Sequence, residues 1–273
     1  MAFADSDELK AVAIVSIFET GKAFGDFSAV AVLNDGAGIS YGVNQFTHRS
    51  GALAAVLDKY LEKGGEVART AIENGLVQAR KRTPKAVSEL AADGRFKNSL
   101  RAAALTREMK EAQIDVAFER FLQPAVDECE KLEFVETLSL AVVYDSITHG
   151  SWEKLRDEIR IPGLDAAPTL EHAWIAEYVK TRDSWLASIP RLVTTRYRTK
   201  FFLGQIERGN WKLSLPLLVH GVSLTSRTIS NIANDFCRQQ VCIQNSAVEP
   251  SLTNNSPSID KSSVSSITLD DPP

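Results

Sequence analysis

Two acidic residues early in the chain, Glu19 and Asp35, stand where the backbone around them would be stiff. Glu19 closes an apolar segment that reads as helix, and Gly21 just after it is a natural left-handed stop. Asp35 lies in Asn34-Asp35-Gly36, a turn signal that follows the valine-rich, strand-like stretch from Phe27 to Leu33. A carboxyl pair held on opposed elements can work on a glycosidic bond. One group, protonated, donates to the leaving oxygen, and the other, ionised, activates a water. Spacing alone selects this pair weakly, because the chain holds 35 acidic residues and most carboxylates are solvated surface.

The elements that must position the pair are mainly helical. Asp5-x-x-Glu8 has the pattern of a capping box ahead of an apolar stripe through Leu9, Val12, Ile14, Val15 and Phe18. After the first strand, a second one is expected around Ile39 to Phe46, completing a small hairpin. From Gly51 onward the period is helical, with long helices expected at about 51–62, 100–121, 133–148, 169–187 and 194–207. Thr83-Pro84, Asp93-Gly94, Gln123-Pro124, His149-Gly150 and Pro162-Gly163 punctuate them. No internal repeat is visible.

With 273 residues, the chain is long enough for a sizeable core. Its 44% hydrophobic and 24% charged residues are ordinary for a globular protein. A net charge of −4 gives no basic excess for nucleic acid. Cys129, Cys237 and Cys242 fit reduced thiols with at most one local Cys237–Cys242 bridge, and no Cys/His cluster has zinc spacing. No apolar run has the length of a membrane span, and the acidic start MAFADSDELK lacks the marks of a secretory signal. The expectation is therefore a cytoplasmic protein, or one exported by a non-classical route. From Ala247 the chain is rich in Ser, Asn and Pro without an aromatic residue, so 247–273 is expected to be disordered. The expected organisation is a catalytic unit over 1–221, an extension over 222–246, and that tail.

The wording around the carboxyl pair carries more than its spacing. Residues 14–21 read IVSIFETG, 33–42 read LNDGAGISYG, and 43–51 read VNQFTHRSG. Further on come MKEAQIDVAFERFLQPA (109–125), LAVVYDSITHG (140–150), TTRYRTKFFL (194–203) and LPLLVHG (215–221). This ordered set resembles the glycoside hydrolase family 46 chitosanases over roughly residues 10–221. The resemblance implies a mainly α (α+β), two-lobed, lysozyme-like fold with a small β element near the N-terminus and a cleft between lobes. It also implies an endo-acting, inverting hydrolase of β-1,4-linked glucosamine polymers, working as a monomer without cofactor or metal.

By that resemblance Glu19 is the general acid, Asp35 the general base, and Ser40, where the family has threonine, holds the attacking water. Asp145, Arg182 and Arg196 match a buried Arg–Asp–Arg cluster behind the acid. Tyr41, His48 and Arg49 are expected at the substrate. Two departures bear on substrate choice. Ala52 stands near where the family has an ammonium-binding carboxylate, and Ala37 where it has an arginine. His48 and Arg49 would add positive charge to the cleft edge. A peptidoglycan-cleaving muramidase is therefore the alternative, with a non-catalytic sugar-binding protein behind it.

Other signals are weaker. Gly38-Ile39-Ser40-Tyr41-Gly42 fits the nucleophile elbow of serine esterases, with Asp145, His149 and His220 as formal triad partners. That motif needs a large parallel sheet, for which the chain has too few strands. Arg80-Lys81-Arg82 with Lys85 reads as a solvated helix end, or else as a contact for an anionic polymer. The four tryptophans have the helical spacing of core residues.

Overall fold

Helix α1 (Asp5–Thr20) ends as its sequence dictates: Gly21 adopts φ 71° and its N–H donates to the Ile17 carbonyl at 2.9 Å. Its start differs from expectation. In this computed structural model, which describes residues 3–33, 35–159 and 167–231, Ala4 is the N-cap and makes no side-chain cap. Asp5, Asp7 and Glu8 all lie in the first turn, where their charge favours the positive helix end. The capping box is thus a charge–dipole start instead.

Strands β1 (Val30–Val32), β2 (Ile39–Tyr41) and β3 (Phe46–Thr47) form an antiparallel meander in that order. The second expected strand breaks in two because Gly42, at φ 73°, turns the chain between Tyr41 and Phe46. The registers Val30↔Tyr41 and Ser40↔Thr47 put Asp35 in the turn between β1 and β2.

Helices α2 (Ala52–Glu62), α3 (Arg69–Ala79), α4 (Pro84–Ala92) and α5 (Gly94–Ala103) follow, then α6 (Arg107–Ala117). The single helix expected over 100–121 is interrupted, because the Thr106 hydroxyl accepts from Met109 N–H and starts α6 afresh. A π-helical turn (Phe118–Leu122) joins α6 to α7 (Gln123–Lys131). The remainder is α8 (Thr137–Thr148), the single turn α9 (Trp152–Leu155), α10 (Ala167–Ser188), α11 (Tyr197–Glu207) and a hairpin of β4 (Leu217–Val219) and β5 (Val222–Leu224).

Two hydrophobic cores divide these elements. Ile39, Tyr41 and Phe46 of the sheet pack with Leu53, Leu57, Ile72, Leu100 and Met109 of α2, α3, α5 and α6. Ile14 and Ile17 of α1 pack with residues of α7, α8, α10 and α11. Helix α8 is buried at every position from Thr137 to Ser146, the pattern of a helix enclosed on all sides. Phe121, in the π turn, packs against both cores. The fold is therefore a mainly helical, two-lobed one, with α6, the π turn and α7 as the link.

The boundary expected at Gly221 falls inside the β4–β5 hairpin, and Leu224 and Ile229 beyond it belong to the core. The packed core thus runs past Gly221. The Cys237–Cys242 pairing, the end of the expected extension and the 247–273 tail lie outside the described residues, and Cys129 is a buried free thiol. No described helix is long and apolar enough to cross a membrane.

The sheet is tied to α6 by Gln113. Its side-chain oxygen accepts from Val43 N–H at 3.1 Å, and its amide donates to the Phe27 carbonyl at 2.9 Å. A Cβ on Gly42 would come within 1.9 Å of Gln113 Oε1, so the glycine serves the close approach as well as the turn. Gln113→Ala would strand both backbone groups, and a buried orphan costs about 1–3 kcal/mol. The expected loss is about 2 kcal/mol in denaturant unfolding, with an unchanged midpoint as the contrary result.

Candidate active site

The C-terminal turn of α1 delivers Glu19 onto a chain of buried charges. Arg198 of α11 donates from Nη2 to Glu19 Oε1 at 2.7 Å and from Nη1 to Asp145 Oδ1 at 2.6 Å. Asp145, on the enclosed helix α8, accepts on Oδ2 from Arg182 of α10 at 2.6 Å. The Asp145 side chain is 0% exposed, those of Arg182 and Arg198 1% and 4%, and that of Glu19 13%. Two carboxylates and two guanidiniums alternate, so the cluster is neutral when all four are charged. Arg198 also lies over the rings of Phe18 and Tyr197, whose phenol donates to the Phe18 carbonyl and pins the end of α1.

Position in the chain decides the protonation. Burial pushes Glu19 above the ordinary glutamate value, against the charge and hydrogen bond of Arg198, and Asp145 adds to the rise. Burial also pushes Asp145 upward, but two guanidiniums outweigh it and hold the carboxyl below the usual aspartate value. His149, one turn on from Asp145, is driven down to about 3 by burial and by Arg198 and Arg182, so its ring is neutral. One acid favouring the proton and one holding its charge is the pairing that acid catalysis beside a fixed anion requires.

Asp35 belongs to the other lobe. It is exposed, and its Oδ1 accepts from Ala37 N–H at 2.9 Å, which fixes the turn. No described hydrogen bond or ion pair joins it to Glu19, which belongs to the other core. Ser40 alternates along β2 with the core residues Ile39 and Tyr41 and so faces the opposite side of the sheet, where it too is buried. The lobes meet at Asn44, in the β2–β3 turn, whose amide donates to the Tyr144 phenol oxygen of α8 at 3.0 Å.

The model of glycosyl hydrolase family 46 matches residues 13–217. The chain belongs to that family. A search of curated proteins finds no match. Among solved structures, a Gynuella sunshinyii chitosanase in complex with chitotetraose is similar at 18% identity, over 82% of this chain and 98% of that one, with a TM-score of 0.66. A mutant chitosanase from Bacillus subtilis MY002 with six glucosamines is similar at 19% identity, over 82% and 97%, also at 0.66. The lysozyme-like fold of such proteins is thus the fold of this family 46 glycoside hydrolase.

Three expected site residues are placed elsewhere. Arg196 does not join the cluster. It lies in the 3₁₀ turn before α11 and pairs with Asp183, from Nε at 3.0 Å and Nη2 at 2.5 Å. Arg198 takes its role, because Arg198, Phe202 and Gln205 share the buried face of α11. Tyr41 is fully buried and donates to the Leu100 carbonyl, which removes it from any substrate surface. His48 is likewise 0% exposed, with Nε2 donating to the Lys81 carbonyl at 3.0 Å. Arg49 remains exposed. The serine-elbow reading fails on topology, because Ser40 sits in a short antiparallel sheet. Among the described residues no cluster has the makings of a metal site.

Arg182 Nε and Nη2 and Arg198 Nε have no other acceptor among the described residues, so Asp145 is the anion that both guanidiniums depend on. Removing one partner of a buried ion pair typically costs about 3–5 kcal/mol, and Asp145→Asn should lose that much at pH 7. Because the folded Asp145 value is depressed, its stabilisation is present above the unfolded value near about 4 and is lost as pH falls. The gap between wild type and Asp145→Asn should therefore narrow below about pH 4. Melting curves from pH 3 to 7 measure it, and a gap constant across that range would remove the charge argument.

Proposed function

We propose that this chain is an endo-acting, inverting hydrolase of β-1,4-linked glucosamine polymers, a chitosanase. The observation that carries the reading is the helix-end Glu19 backed by Arg198, Asp145 and Arg182, with the exposed Asp35 on the other lobe. The solved relatives include proteins with glucosamine oligomers bound.

Glu19, kept protonated by burial, donates to the glycosidic oxygen as the bond breaks. Arg198 then stabilises the carboxylate that forms. Asp35, exposed to solvent, takes a proton from a water that attacks the opposite face of the sugar and inverts the anomeric centre. The Ser40 hydroxyl, which makes no hydrogen bond to a described residue, is available to orient that water. No step needs a metal or cofactor.

Glu19→Gln and Asp35→Asn should each lower kcat on chitosan oligomers at least a hundredfold, given the 10²–10⁴-fold usual for acid–base groups. Ionised Glu19 disfavours the folded state above its raised value, so Glu19→Gln should stay folded at neutral pH. Reducing-end release, with circular dichroism as the fold check, reads both. Full activity in either variant would remove that residue from the mechanism.

The pH profile gives a separate check. Activity should have a falling limb on the alkaline side, where Glu19 loses its proton. Arg198 lowers the Glu19 value through both its charge and its hydrogen bond, so Arg198→Gln should move the falling limb to higher pH in the residual activity. An unmoved limb would show that another group sets it.

A further inference from the structure

Successive side chains at the start of α11 leave for three different helices. Arg196 pairs with Asp183 of α10 through two guanidinium nitrogens, Nε on Oδ1 and Nη2 on Oδ2. The Tyr197 phenol donates to the Phe18 carbonyl of α1, and Arg198 spans Glu19 of α1 and Asp145 of α8. The buried Thr199 hydroxyl returns to α10 and donates to Asp183 Oδ1 at 2.6 Å. Asp183 thus grips the residues on either side of the Tyr197–Arg198 pair. It also follows Arg182 in sequence, and successive helical residues point about 100° apart. The same turn of α10 therefore sends Arg182 to Asp145 and Asp183 to α11. The bond from Arg196 holds the Asp183 carboxyl below the usual aspartate range, so the clamp is charged wherever Glu19 titrates.

The connection between α10 and α11 has little else to fix it. The N–H groups of Ile189, Leu192, Val193 and Thr195 bond to carbonyls within residues 186–192. Pro190, Arg191, Val193 and Thr194 are exposed. Among the described hydrogen bonds, those to Asp183 are the ones that join the end of this connection to α10. Arg198 needs such an anchor. Its Nε has no acceptor among the described residues. In the state ready to donate a proton, Glu19 is neutral, and a bond from a guanidinium to a neutral acid is weaker than one to a carboxylate.

Glu19 is faced by Arg198 and Tyr197 from α11, by Asp145 and Tyr144 from α8, and by Arg182 from α10. We infer that Asp183 is a positioning residue for the acid: with Arg196 and Thr199 it fixes the first turn of α11, and through that turn the seat of Arg198 against Glu19. This rests on the glycosidase reading above and adds to it a residue that touches neither substrate nor acid. The direction of the Glu19 shift separates the two effects of losing Asp183. Removing its negative charge would by itself lower the Glu19 value, because a nearby anion raises a carboxyl. Loosening Arg198 raises it, because Arg198 pulls Glu19 down through its charge and its hydrogen bond.

The test uses Asp183→Asn, Arg196→Lys, and Asp183→Asn combined with Arg198→Gln, on chitosan oligomers. In Asp183→Asn the alkaline limb of kcat/KM should move up by about half a pH unit. Its kcat should fall about tenfold with KM within about twofold, as misplacement without lost binding predicts. Arg196→Lys keeps the positive charge but not the two-armed fork. It should move the limb the same way by less, and it decides the matter if Asp183→Asn does not fold. In the Arg198→Gln background, Asp183→Asn should leave the limb where Arg198→Gln puts it. A limb that stays or moves down in the folded single variants, or shifts that add in the double variant, would overturn the inference. Carbon-13 NMR of carboxyl-labelled glutamate, assigned by difference from Glu19→Gln, reads the Glu19 titration without substrate. An upward shift there with no hydrolysis by wild type would sustain the inference and sink the proposed reaction. Hydrolysis by wild type with Glu19 unshifted in the variants would do the reverse.

Discussion

Arg198 is the contact on which the site depends. It holds Glu19 with one nitrogen and Asp145 with another, so a single guanidinium links the end of α1 to the middle of α8. A buried acid beside a cation would ordinarily lose its proton. Here desolvation of Glu19 is the larger influence, and Asp145 behind the cation adds to it, against a weaker opposing pull from Arg182. The arrangement fixes the side chain in space through a charged bond while leaving the proton in place. A neutral donor in place of Arg198 could orient the carboxyl, but it would not stabilise the anion that catalysis leaves behind.

The rest of the helical lobe follows from burying that chain of charges. Helix α8 has to be enclosed on every side for Asp145 to be dry, which accounts for its unbroken run of buried residues and for the packing of α1, α7, α10 and α11 around it. The Tyr197 phenol and the rings of Phe18, Phe201 and Phe202 seal the end where Glu19 emerges. The sheet lobe has the opposite requirement. Asp35 is exposed, and its turn is held by a local hydrogen bond rather than by enclosure.

Much of this was legible in the sequence, and the failures have physical causes. Gly21 predicted the end of α1 because a left-handed residue has few alternatives to glycine, and Asn34-Asp35-Gly36 predicted a turn for a similar reason. Arg196 was preferred over Arg198 because a motif names neighbouring arginines without saying which way each faces. The face is set by where α11 begins, one residue after Arg196, and the buried series Arg198, Phe202 and Gln205 was the signal that would have found it. The resemblance puts Tyr41 and His48 at the substrate, because a motif gives position along the chain and not the direction of a side chain. Each spends its polar atom on a backbone carbonyl inside the protein. Gln113 and the Asn44–Tyr144 bond left no trace, since contacts between residues 70 and 100 positions apart follow from the fold rather than from local pattern.

The partition of the ionic groups has a consequence for how such a chain can diversify. Every charge that tunes Glu19 lies on α1, α8, α10 and α11, whereas Asp35, its turn and the sheet lie on residues 30–47 of the other lobe. The two inventories meet through few polar contacts, among them Asn44 with Tyr144. The lobe that carries Asp35 can therefore be rewritten, loop by loop, without retuning Glu19. Within one scaffold, selectivity and proton affinity become separately heritable traits.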